Sequence, residues 1–438
     1  EFAVAVSFGV FTTAFLSLFL LPAIFSLLKD PSELHLAKAK DGALTLFLGN
    51  FSLYIDKFKY IFILTFAVIV LITIKLLPNL DIGSDYYKYF PKNDPVIDEL
   101  KYVSGMTGGN MWYNLTLEVP QNKGGFFGTQ DGLVFLSNIE NELRDNIYVY
   151  DVVSIVTYLK KMNVVLNNQY EVPQRVAVIN LFKRIFSKMI TDENKMFKEV
   201  KLMENDYNKV TFVIRIFDKN NNQPLAEKDF PLFMDSIKDT VSQIEHYGFK
   251  TKLWGWGLVA STISGIVLND QFITLIISFL LVFTVTCIFF KSIYYGLVVL
   301  VPLITAICTN YLFLVILNIP LDLTTIMVSS VAIGVGVDDS IHFLIQYRQQ
   351  IKLFPNDHRK VLYNTFMITG RPIVLTSVSI VAGLLVLLFA SFVPITYFGL
   401  LVSLSLIGAL IGTLIFLPAL LSIINGFFSH RNNKCYKG

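Results

Sequence analysis

The stretch DLTTIMVSSVAIGVGVDDSIHFLIQY, Asp322–Tyr347, is long enough to cross a membrane and largely apolar, yet its second half holds two adjacent carboxylates and a histidine. A spanning helix needs about 20 mostly apolar residues, and an aspartate at its centre costs about 2.5–3.5 kcal/mol on insertion scales. Charge kept against that cost marks a functional site.

Composition agrees. The 438 residues are 54% hydrophobic and 16% charged, with a mean hydropathy of +0.58, whereas soluble domains run to about 25% charged residues. This is a membrane protein. Its net charge of +3 and scattered lysines exclude a nucleic-acid partner. Cys287 and Cys308 lie in apolar runs and Cys435 near the end, so no disulfide framework is implied.

Outward from the opening stretch, six full spans are expected: 59–77, 271–290, 293–317 with Pro302 as a kink, 322–347, 372–391 and 396–424. No charged residue occurs from Pro372 to Ser429, and SFVP at Ser391–Pro394 supplies the turn between the last two spans. Residues 1–28, containing LFLLPAIF, read as the end of a preceding, truncated span, so the chain reads as the later part of a longer protein. Residues 29–58 read as a cytoplasmic or interfacial linker with an amphipathic helix over Leu44–Phe58, and 429–438 as a cytoplasmic tail. A second such helix is expected over Phe354–Thr369.

Lys29, Lys38, Lys40, Lys57, Lys59, Lys291, Arg348, Lys352, Arg359, Lys360 and Arg371 fall on one side of the spans, while NIPLD (Asn318–Asp322) and SFVPIT (Ser391–Thr396) hold no basic residue. Both ends are then expected in the cytoplasm and the protein in the cytoplasmic (inner) membrane. Lys75 is expected to snorkel to the interface. Residues 78–270 become an extracytoplasmic α/β domain, with strands over Met111–Val119, Lys209–Phe217 and Lys250–Trp256 and helices over Asp131–Asp145, Val176–Met203 and Ala226–Tyr247. Asn114-Leu-Thr116 matches the glycosylation pattern but sits in an expected strand and reads as a chance match. A slide of 396 residues pairs Leu21–Ala23 with Leu417–Ala419, both LPA, which points to a duplicated architecture.

In the opening stretch Asp338 and His342 are four residues apart and share a helix face, and Asp339 is three from His342, so the imidazole reaches either carboxylate. Desolvation and mutual repulsion both disfavour the second negative charge, so the pair takes up a proton readily. That is the property of a proton relay. Gly334 and Gly336 weaken a helix and are explained by close approach of a neighbouring helix. Asn310, Thr376 and Ser377 on the adjoining spans are candidate polar support. The structural alternative is an Asp338–His342 ion pair with Asp339 at a water-filled edge; His342 by itself reads either as a relay member or as an orienting hydrogen-bond donor. A dinucleotide fingerprint fails because position 339 is Asp and the run is one helix. An intramembrane aspartyl protease needs aspartates on two facing helices, and no other span has one inside it.

The run GVGVDDSIHFLIQYR, Gly334–Arg348, with NIPLDLTTIMVSSVAI before it, GRPIVLTSVSIVAGLLVLLFASF at Gly370–Phe392, and FGLL and LPALL in the last span, resembles the resistance-nodulation-division (RND) superfamily, in particular its MMPL branch. The resemblance is strong over 254–421 and architectural over 78–250. It implies twelve spans in two repeated halves, each with a porter domain after its first span, so this chain would hold the end of the first half and all of the second. Relatives move protons through the fourth and tenth spans; Asp338 matches the first acidic position of the tenth and His342 its histidine. Many relatives have Tyr where this sequence has Asp339.

The expected function is therefore proton-motive-force-driven export of lipids or other hydrophobic molecules, with Asp338, Asp339 and His342 as relay, protons as the coupling ion and no other cofactor or metal. The protein is expected to be a transporter and no enzyme. Expected partners are membrane lipids or a hydrophobic substrate and the missing N-terminal half of the chain, with a homo-oligomer or periplasmic accessory subunits as further candidates. The alternative is a Patched-like lipid or sterol sensor or scaffold that does not pump; a third reading is proton-driven assistance of protein export.

Overall fold

The computed structural model describes residues 2–27, 42–83, 89–91, 94–107, 112–120, 123–191, 202–203, 206–220, 225, 229–355 and 357–425. The linker up to residue 41, the end of the expected 176–203 helix (192–201) and the 429–438 tail lie outside them. In chain order the elements are α1 Phe2–Leu27, α2 Ala43–Lys57, α3 Lys59–Leu76, α4 Pro95–Thr107, β1 Trp112–Glu118, α5 Gln130–Asp145, β2 Val149–Val153, α6 Ile155–Asn167, α7 Val176–Thr191, β3 Lys209–Ile216, α8 Phe230–Ser236, α9 Lys238–His246 and β4 Lys250–Trp254. Then follow α10 Trp256–Phe290, α11 Ile293–Ile316, α12 Leu323–Leu353, α13 His358–Thr365, α14 Arg371–Leu385 and α15 Val393–Ile411. Seven stretches among the described residues are long and apolar enough to cross a membrane: 7–27, 59–79, 269–290, 293–316, 324–353, 358–389 and 393–425. The chain divides into two units, 65–338 with 377–412, and 1–64 with 339–376 and 413–438.

In the first unit the polar segment forms one antiparallel sheet of order β2-β3-β1-β4. Alternation puts Tyr113, Leu115 and Leu117 of β1 on the same face as Val210, Phe212 and Ile214 of β3, all 0% exposed, and the register pairs Leu115 with Phe212. Helices cover that face with stripes at helical spacing: Leu133, Leu136 and Leu143 of α5, Ile155 and Leu159 of α6, and Phe230 and Phe233 of α8. Each such side chain contributes about 1.5–3 kcal/mol. The result is a two-layer α/β sandwich. Thr129 caps α5 by accepting from Gly132 N at 3.1 Å, and Ser154 caps α6 by accepting from Val156 N at 3.1 Å.

The sequence reading differs in particular places. Strand β2 and helices α4 and α6 were not expected. The stretch read as one helix over Ala226–Tyr247 is two helices that meet at Ile237. Helix α10 starts at Trp256, ahead of the 271–290 span it carries, because Gly255 ends β4 at φ +130°, where an added Cβ would lie 3.0 Å from Trp112 O, and no proline follows within it. Asn114 is 1% exposed inside β1, which closes it to glycosylation.

The same unit holds α11 against α15. Gly408 gives its space to Thr309, and an added Cβ on Gly412 would sit 2.5 Å from Pro302 Cα, so small residues set this close approach. Asp322 starts α12 by accepting from Thr324 N and Thr325 N at 3.0 and 2.9 Å. In the second unit α2 lies on α13 and the π turn Phe366–Gly370: an added Cβ on Gly49 would meet Tyr363 and Met367 at 2.9 Å. Phe343 and Phe366 meet edge to face at 5.3 Å. The helix read as a separate amphipathic piece over Phe354–Thr369 thus runs through the π turn into the 372–391 span.

Candidate functional site

At 1.5 Å per residue, Asp338 lies about 22 Å along α12. The two sides of this helix differ sharply. Val328, Ser329, Ala332, Ile333, Gly336, Ser340, Phe343, Leu344 and Tyr347 are buried. Met327, Val331, Gly334, Val335, Asp338 and His342 are exposed, with Asp339 between the two sides and half-buried. The spacing that makes an amphipathic helix therefore places Asp338 and His342 one turn apart on the side that the chain itself leaves open.

The two glycines diverge. An added Cβ on Gly336 would lie 3.0 Å from Ala409 Cβ, beside the buried trio Ala306, Ala332 and Ala409, while around Gly334 there is nothing within 4 Å. Gly336 sets the approach of α12 to α15, and Gly334 lies on the open side. Of the candidate polar supports, Asn310 donates to Ser329 Oγ at 3.0 Å, nine residues before Asp338, and its Oδ1 is buried with no partner among the described residues. Thr376 donates to the carbonyls of Pro372 and Ile373 on its own helix. Ser377 is 7% exposed.

Sequence reasoning missed two groups. Ser340 Oγ and Thr413 Oγ1 lie 3.1 Å apart, both 0% exposed, because the π turn Gly412–Phe416 shifts the register of the last span. At the end of the same unit, His358 Nε2 is 2.9 Å from Ser422 Oγ, its Nδ1 is 2.8 Å from Asn425 Nδ2, and the Tyr347 hydroxyl is 3.4 Å from Nδ1. Asp56 pairs with Arg359 at 3.2 Å and Lys59 at 3.5 Å. Burial pushes the Asp56 carboxyl up, but Lys59, Arg359, His358 and the Ser422 hydroxyl outweigh it and hold the group below the usual carboxylate value. No cluster of three or more His, Cys, Asp or Glu that could hold a metal occurs among the described residues.

Seven apolar helices, a sheet domain inserted after the second of them and a charged cluster within a later one define a polytopic membrane protein of the RND-like fold. The sequence profile of the MMPL family matches residues 199–436, and the chain belongs to that family, whose members are transporters. It is 22% identical over 352 residues to a membrane protein of Methanocaldococcus jannaschii, covering 79% of this chain and 85% of that one. Among solved structures it is similar to the hedgehog release protein Disp from the water bear Hypsibius dujardini, at 12% identity and a TM-score of 0.49, covering 86% of this chain and 49% of that one. The chain spans about half the length of that protein.

Proposed function

We propose that this chain works within a proton-driven exporter of lipids or other hydrophobic molecules across the cytoplasmic membrane, with Asp338 and Asp339 as carriers of the coupling proton and His342 as the group that orients or relays it. One observation carries the reading: Asp338 and His342 lie on the open side of α12, opposite Phe343, Leu344 and Tyr347. Ionisable groups at membrane depth face a bundle interior or a wet cavity and not lipid. A second helical bundle therefore covers that side in the working protein, and the duplicated LPA pattern makes the other half of the same chain its source.

In the cycle, protonation from the side of the sheet domain neutralises the pair, lowers the cost of moving α12 against the opposing bundle and shifts the sheet domain between two arrangements. Each charge crossing 100 mV supplies about 2.3 kcal/mol, which biases a two-state equilibrium by roughly fiftyfold. The basic residues Lys57, Lys59, Arg348, Lys352, Arg359, Lys360 and Arg371 put the other end in the cytoplasm. The test is movement of a fluorescent lipid in proteoliposomes of the full-length protein under an imposed pH gradient. Movement that follows the gradient and stops with a protonophore supports the reading; movement indifferent to the gradient refutes it.

A further inference from the structure

His358 has hydrogen-bonding partners on both ring nitrogens, drawn from helices remote in sequence. An amide nitrogen only donates, so Asn425 Nδ2 at 2.8 Å makes Nδ1 an acceptor. The ring is then the neutral Nε2–H tautomer, donating to Ser422 Oγ at 2.9 Å. Lys59, which pairs with Asp56 at 3.5 Å, also donates to the Ser422 carbonyl at 3.4 Å, so the serine and the Asp56 carboxylate border the same ammonium. The imidazole, one hydroxyl and a carboxylate bordered by Arg359 and Lys59 therefore lie in sequence at this end of the unit.

The same partners accommodate a second state. If a proton arrives at Nδ1, Asn425 need only turn its amide over for Oδ1 to accept the new N–H. Among the described residues, the charged groups facing the ring are Asp56 and Lys59 from the α2–α3 junction and Asp357, the N-cap of its own helix; α12 contributes the Tyr347 hydroxyl, and the last helix contributes the neutral Ser422 and Asn425. Burial disfavours the imidazolium and, with Lys59, holds the ring below the ordinary histidine value, while Asp56 and Asp357 favour the charge and offset part of that cost. Tyr347 also lies on the buried stripe of α12 that holds Ser340, about 10 Å further along. Phe343 and Phe366, both 0% exposed, sit between the two levels.

We propose that His358 is a second protonation site on the coupling path, taking up the proton that leaves the α12 carboxylates and handing it through Ser422 to Asp56 and the cytoplasm. The proton enters at Nδ1; the Nε2 proton passes to Ser422 Oγ as the hydroxyl proton passes to Asp56, which leaves a neutral ring and a protonated carboxyl that discharges to solvent. The Phe343–Phe366 layer keeps the two stations apart, so transfer waits on movement of α12. This proposal rests on the proton-coupled reading above and adds His358, Ser422, Asn425 and Asp56 to it.

The experiment uses the full-length protein with ¹⁵N-labelled histidine. This chain has five histidines, few enough to assign by single substitution. His358 is expected as the Nε2–H tautomer at high pH, gaining its second proton below the ordinary histidine value, with Asn425→Leu lowering its midpoint by roughly one unit, a tenfold change. In proteoliposomes His358→Gln is expected to slow lipid-coupled proton flux at least tenfold and flatten its pH profile. Ser422→Ala, which removes one hydroxyl, reads the same step if the Gln variant fails to fold. A His358 fixed in one state over the whole pH range in which the protein stays folded, or variants with wild-type rate and profile, overturns the proposal. If Asp338→Asn abolishes flux while His358→Gln does not, the exporter reading stands and this one falls; absence of coupled flux in the wild type removes both.

Discussion

Gly334 and Gly336 offer a clean test of which side of α12 is packed. Both are replaced by Ala, separately, two residues apart in one helix. The gain from removing a glycine, about 1 kcal/mol, is common to both and cancels in the comparison. What remains is the room for one methyl. At Gly336 it would lie 3.0 Å from Ala409 Cβ, where ordinary carbon contacts are about 3.5–4.0 Å, so α12 and α15 must part by roughly 0.5–1 Å. Overpacking of this kind costs about 1–3 kcal/mol. At Gly334 nothing lies within 4 Å and the cost is nil. Gly336→Ala should therefore be less stable than Gly334→Ala by about 1–3 kcal/mol, measured by unfolding of this chain in detergent micelles. Equal stabilities, or the reverse order, would refute the facing assigned to Asp338 and His342 as well, because all four positions are fixed by one helical phase.

Within the sheet domain, Glu140 is 0% exposed, accepts from Ser154 and Thr157 at 2.5 and 2.8 Å, and lies 3.5 Å from the Lys160 ammonium, which is itself buried. Glu140→Ala leaves that charge without its carboxylate and should cost about 3–5 kcal/mol, read as loss of protection of α5 and α6 in hydrogen exchange. Asp56 titrates lower in the folded chain than in the unfolded one, so its contribution is complete above the ordinary value of 3.8 and is lost as pH falls through the lower folded value. Asp56→Asn should accordingly lower stability at neutral pH and have no effect once the pH is well below 3.8, as thermal unfolding across that range would check.

The spans were legible because hydrophobic length is a property of the sequence alone, and β1 and β3 because their apolar residues alternate over seven or eight positions. Strand β2 was not, since VYDVV is five residues long and Asp151 interrupts it. The start of α10 was placed late because Asn269 and Asp270 look like a boundary; a helix can leave the apolar layer and remain a helix. Gly334 and Gly336 look alike in sequence, and only the phase of α12 separates the one that packs from the one that does not. Asn310 could be recognised as a polar residue needing a partner, but Ser329 as that partner required the approach of α11 and α12. His358 reads as one more polar residue in DHRK, with partners 11, 64 and 67 positions away.

The central claim is that the adjacent carboxylates of α12 carry the coupling proton. The most direct measurement is proton flux in proteoliposomes of the full-length protein, with lipid present and a pH gradient imposed, for wild type, Asp338→Asn and Asp339→Asn, each checked for wild-type unfolding temperature. Loss of lipid-coupled flux in at least one folded Asn variant is the predicted result. Wild-type flux in both would contradict it and leave the charged cluster a structural feature of the span.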